Sequence, residues 1–75
     1  MTFNSEIDSL VLGRAARRLR EMRGLSIDEA AALVGREAAI LNAIEQGEMD
    51  PRWSTIMALL RSYDATLPDL ASEMD

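Results

Sequence analysis

No cysteine and no histidine occurs among the 75 residues, and all eight basic side chains are arginine, so lysine is absent as well. Without thiols there is no disulfide framework and no thiolate metal site. Without imidazole the commonest general base and metal ligand is missing. Aromatic residues are limited to Phe3, Trp53 and Tyr63. The carboxylates are scattered over helix ends and tails, and no nucleophile, base and orienting group fall into one pattern. These absences point away from an enzyme, a metal site or a cofactor. No apolar run approaches the roughly 20 residues of a bilayer span, and residues 1–8 have no basic flank before an apolar stretch, so no membrane association is expected and the expected location is the cytoplasm.

What is present suits one small core. Nearly half the residues are apolar, enough to fold, but a core of this size supplies only about 3–5 kcal/mol on its own, which makes self-association an expectation. The net charge of −5 is unevenly spread. Residues 1–36 hold six arginines against five carboxylates, a balance of plus one, and residues 37–75 hold two against eight, a balance of minus six. An acidic second half repels phosphate, so a nucleic-acid role requires a local basic patch.

Helical signals recur at short intervals and no alternating strand pattern of useful length appears. The spacing predicts a first helix from Ser5 or Ser9 to Arg23, with Leu12, Ala15 or Ala16, Leu19 and Met22 on its apolar face and Gly24 as its stop. Ser26 and Glu29 have capping-box spacing and open a second helix that ends at Gly35. A third covers residues 37–46, turns Leu41 and Ile44 inward, and ends at Gly47. Asp50 followed by Pro51 reads as a capping acceptor and a first-turn proline for a fourth helix through Trp53, Ile56, Met57, Leu59 and Leu60. Thr66 and Asp69 repeat the capping-box spacing and open a short fifth helix with Leu67 and Leu70. Residues 72–75 read as a frayed acidic tail.

Several segments in order carry a family resemblance: L-G-R-A-A-R-R-L-R-E-M-R-G-L-S for helix one and its turn, A-A-A-L-V-G in helix two, I-E-Q-G closing helix three, and D-P-x-x-x-T-I before helix four. Over residues 12–70 the chain resembles the Cro/cI repressor-type (XRE-type) helix-turn-helix family. The resemblance implies an all-α, compact five-helix, lambda-repressor-like domain at residues 12–71, preceded by an extension at residues 1–11 that can prolong helix one and followed by the acidic tail. It implies that Ala31, Val34, Leu41 and Ile44 clamp the helix-turn-helix pair, that Trp53, Ile56 and Leu60 cover them, and that Arg20 and Glu45 form a partly buried ion pair. It also implies a homodimer on double-stranded DNA, with helix three in the major groove.

The positions that read bases in this family are here Ala38, Ala39, Ile40 and Ala43, and Asn42 is a further candidate DNA contact and the one amide beside them. Alanine and isoleucine neither donate nor accept the hydrogen bonds that distinguish base pairs. Ile27 stands where the family commonly has a phosphate-binding glutamine, and Glu48 and Asp50 lie where basic or amide residues are usual. Glu37, at the helix start, suits the helix dipole but competes with phosphate for the same amides. Arg17, Arg36 and Arg52 are the candidate phosphate contacts.

Two readings follow. In one, the chain is a DNA-binding transcriptional regulator leaning on phosphate contacts and DNA shape. In the other, it engages a partner protein through Ile40, Ala39 and Ala43 and binds DNA weakly or not at all. The same alanines suit a solvated helix face, Glu37 is also readable as a simple cap, and the ridge of Arg14, Arg17 and Arg18 suits either phosphate or solvent with support from Glu21. Ile7, Leu10 and Val11 extend the apolar face of helix one toward a dimer contact or back over helix five.

Overall fold

In the computed structural model, residues 5–74 are described, with side chains from Ser9 onward. Five helices follow one another: α1 (Ser5–Met22), α2 (Ile27–Val34), α3 (Ala38–Glu45), α4 (Trp53–Ser62) and α5 (Leu67–Met74). No strand occurs among the described residues.

Local chemistry sets most of the boundaries. At the start of α2 the Ser26 hydroxyl accepts from the Glu29 amide at 3.1 Å, and the Ser26 amide donates back to the Glu29 carboxylate at 2.9 Å. Two orphan donors are satisfied by one reciprocal pair. Thr66 and Asp69 do the same for α5, the hydroxyl accepting at 3.2 Å and the Thr66 amide donating at 2.9 Å. Both caps stabilise the ionised carboxylates, so hydrogen bonds from Ser26 hold Glu29, and hydrogen bonds from Thr66 hold Asp69, below the usual carboxylate range. α2 ends where Gly35 turns left-handed and its amide returns to the Ala31 carbonyl at 2.9 Å.

The core is built from small residues of α1 and α2 facing larger ones of α3, α4 and α5. Ala15, Ala16, Ala30 and Ala31 are buried against Leu41, Leu59, Leu60, Tyr63 and Leu70. α1 packs on α3 and α5, and α2 on α3 and α4. The α1–α3 approach is close enough to require glycine: a Cβ on Gly13 would lie 2.8 Å from the Glu45 carbonyl oxygen and closer still to that of Ile44. Gly47, left-handed at φ 76°, has its Cα against Leu10, where a Cβ would sit 2.9 Å from the Leu10 Cα.

Several expectations are corrected here. Trp53 does not cover the core; it is 62% exposed. The first residue of a helix projects from its end, and the interior space is filled by Thr55, Ala58, Leu59 and Leu60. Met22 is likewise 69% exposed rather than on the inward face, because α1 ends at that residue. Asp50 does not cap α4, whose N-cap is Arg52; its carboxylate accepts from the Ser9 hydroxyl instead. Ser72, Glu73 and Met74 belong to α5 and not to a frayed tail, and the Glu73 carbonyl is held by Arg18 at 3.0 Å. The side chain of Ile7 and the end of the tail at Asp75 lie outside the described residues.

Candidate nucleic-acid interface

α2, the turn at residues 35–37 and α3 form a helix-turn-helix unit. On α3 the buried residues are Leu41, Ile44 and Glu45. Positions 41, 44 and 45 fall on one side at helical spacing, which leaves Ala39 and Asn42 exposed on the other, with Ala38, Ile40 and Ala43 half-buried along the flanks. Ile40 is therefore not a free apolar knob. It lines a shallow depression with Met49, Pro51 and Thr55, rimmed by Arg36 and Arg52.

Glu45 anchors the inner face of α3. Its carboxylate receives Arg20 Nε at 2.7 Å and Nη2 at 3.0 Å, while Arg20 Nη1 donates to the Leu25 carbonyl at 2.8 Å. The Glu45 side chain is 2% exposed and that of Arg20 12%. The hydrogen bond to Glu45 is the main cause that raises the Arg20 pKa above its ordinary value. Leu25 lies in the turn between α1 and α2, so one guanidinium ties α1, that turn and α3 together.

The other candidate residues divide into two groups. Arg36 and Arg52 are exposed and both line the depression, and Arg36 Nη1 donates to the carbonyl of the preceding Gly35 at 3.2 Å. Glu37 is the N-cap residue of α3 with extended backbone and makes no side-chain capping bond. Glu37 follows Arg36 directly, and Asp50 lines the same depression as both arginines, so exposed negative charge lies among them. Away from α3, the ridge on α1 separates by partner: Arg17 faces Glu21 at 3.4 Å, both about half exposed, and Arg18 is bound to the Glu73 carbonyl. Arg23 donates to the Tyr63 and Asp64 carbonyls at 2.6 and 2.8 Å, so it fastens α1 to the end of α4.

Two features of this surface escaped the sequence reading. Gln46, the exposed C-cap residue of α3, lies four residues beyond Asn42 and adds a second amide to the outer row; that spacing was a signal available in the sequence. The depression that Ile40 shares with Met49 and Pro51 depends on how the α3–α4 loop folds back, and no local pattern announces it.

The sequence matches the family described as "Helix-turn-helix domain" over residues 11–74. It is 33% identical over 66 residues to the HTH-type transcriptional regulator PuuR of Escherichia coli (strain K12), covering 88% of this chain and 36% of that protein. The chain thus spans about a third of the length of that curated relative. Among solved structures, it resembles an HTH_3 family transcriptional regulator from Vibrio cholerae with a TM-score of 0.86 and 28% identity, over 92% of this chain and 39% of that one. It also resembles the restriction-modification controller protein C.AhdI from Aeromonas hydrophila, with a TM-score of 0.80 and 27% identity, over 84% and 96% of the two chains.

Proposed function

The chain belongs to the helix-turn-helix domain family matched over residues 11–74, and on that premise we propose that it is a DNA-binding transcriptional regulator, cytoplasmic, homodimeric and not an enzyme. α3 enters the major groove with Ala39, Asn42 and Ala43 toward the base edges and Ala38 and Ile40 at its margins. Arg36 and Arg52 hold phosphates on either side, and Arg17 adds a more distant contact; these fix register without reading sequence. Glu37, at the mouth of the helix, disfavours a phosphate directly on the α3 amides and steers backbone contact to the two arginines.

The observation that carries this reading is the division of α3 into a buried, ion-paired inner face and an outer face framed by two exposed arginines. Dimerisation is supported by Trp53 and Met57, one helical turn apart on α4, and Leu67, which shares a depression with Met57; all three are exposed. A two-fold pair would set two α3 helices about one DNA turn apart, roughly 34–36 Å. Among the described residues no helix is long and apolar enough to cross a membrane.

The test is fluorescence anisotropy with labelled duplex from the region upstream of the gene, beside a scrambled duplex, at low and near-physiological salt. Binding that prefers the native duplex and weakens with salt supports the regulator. Absence of binding at low salt by folded protein removes it and leaves the partner-protein reading of Ala39, Ile40 and Ala43.

A further inference from the structure

We infer that the outer face of α3 selects A·T base pairs, with the Asn42 carboxamide on an adenine and the apolar side chains beside it on thymine 5-methyl groups; this rests on the major-groove reading proposed above. In the major groove a guanine is read chiefly by arginine or lysine on O6 and N7, and a cytosine by a carboxylate on N4. The body of α3 offers neither. Its one charged side chain, Glu45, is 2% exposed and already held by Arg20. Arg36 and Glu37 are exposed but precede the first helical residue, and on the reading proposed above they serve phosphate contact and its steering.

What the row does present fits the other base pair. A carboxamide has a donor and an acceptor, matching adenine N6 and N7. Asn42 is exposed in the middle of α3, on the same outer face as the methyl groups of exposed Ala39 and half-buried Ala43. Ile40 adds a larger apolar surface at the margin, in a depression it shares with Met49 and Pro51. Thymine is the one base whose major-groove edge carries a methyl group. From position 39 to position 46 the helix advances about 10 Å at roughly 1.5 Å per residue, close to three base-pair steps of about 3.4 Å. One α3 face therefore spans a short A·T block, with the Asn42 amide near its centre and the Gln46 amide at its end.

Purified full chain is used to select bound duplexes from a randomised pool, and the enriched duplex is remade with uracil in place of thymine. Uracil removes only the 5-methyl group and keeps the base pairing. The expected result is A·T at adjacent positions in the bound site, and an affinity loss of about threefold to fourfold for each contacted methyl. Asn42→Ala is expected to lower affinity about tenfold and erase the preference for adenine over guanine at one position. Because Asn42 is exposed, its circular-dichroism melt should match that of the unaltered protein. Salt-sensitive binding to a G·C-rich selected site, or equal affinity for the uracil duplex, overturns this inference while leaving DNA binding intact. Failure to enrich any duplex at low salt instead removes the DNA-binding reading beneath it.

Discussion

Arg20 and Glu45 meet through two parallel hydrogen bonds, at 2.7 and 3.0 Å, across the interface of α1 and α3. The carboxylate is almost wholly enclosed, so removing the guanidinium leaves a buried charge without its partner. Arg20→Ala should therefore destabilise the domain by about 3–5 kcal/mol, a large part of the stability of a small domain. In urea denaturation, Arg20→Met combined with Glu45→Leu should regain much of that loss. A single variant that melts like the unaltered protein would falsify the anchoring role.

Gly13→Ala tests the close approach of α1 to α3. Alanine is the better helix former by roughly 1 kcal/mol, which alone would predict stabilisation. Here the new methyl would press on the backbone carbonyls of Ile44 and Glu45, which cannot rotate away as a side chain would. The expected outcome is net destabilisation of about 1–3 kcal/mol, read as a lower urea midpoint.

The unusual composition makes the pH profile simple. With no histidine, cysteine or lysine, Tyr63 is the one side chain whose ordinary pKa lies between about 6 and 12, the α-amino group apart. Burial, followed by the nearby Glu45 charge, pushes the Tyr63 phenol up to about 12. A group whose folded pKa is raised contributes stability that is complete below its unfolded pKa, about 10, and is lost as pH rises through 12. Glu29 and Asp69 have depressed folded values, so their contribution is complete above the ordinary carboxylate range and is lost as pH falls through it. Thermal melts should show a plateau from about pH 6 to pH 9 with a fall on both sides. Ser26→Ala should soften the acid fall, and Tyr63→Phe should remove the alkaline one.

The same tyrosine yields a prediction at neutral pH. Its hydroxyl is buried with no hydrogen-bond partner among the described residues. The adjacent void is about 10 Å³, at the lower limit of space for one water, and its other lining side chains are apolar, so they offer a water none of the several polar partners it needs. Tyr63→Phe should be neutral or stabilise the fold by about 1 kcal/mol. A clear loss in midpoint would show that the hydroxyl is satisfied in solution.

For the arginines at the interface, Arg36→Ala and Arg52→Ala should weaken DNA binding to the same degree on preferred and scrambled duplexes. Each should lower the salt slope by about one. Arg18→Ala should leave affinity nearly unchanged and instead loosen α5, visible as faster amide exchange around Glu73, whose carbonyl it holds.

The all-helical order was legible in the sequence because its punctuation is local. Ser26 with Glu29, Thr66 with Asp69, and Gly35 each need only their near neighbours to act. Long-range choices were less visible. Asp50 next to Pro51 has the form of a helix start, yet Ser9, 41 residues away, takes its carboxylate. Trp53 has the bulk of a core residue, but it is the first residue of α4, whose inward positions fall to Thr55, Ala58, Leu59 and Leu60, and it stays exposed. Position along α3 separates inward from outward residues by periodicity alone; the half-burial of Ile40 depends on a loop whose path periodicity does not describe.

The two faces of α3 answer to different demands. Leu41, Ile44 and Glu45 hold the helix to its frame, whereas Ala39, Asn42 and Gln46 are exposed and stand apart from that frame. Substitutions at 39, 42 and 46 should therefore accumulate over generations at little cost to folding. A scaffold of this kind can acquire a new address by rewriting three letters, while changes at 41, 44 or 45 are weeded out for a different reason, the loss of the folded chain itself.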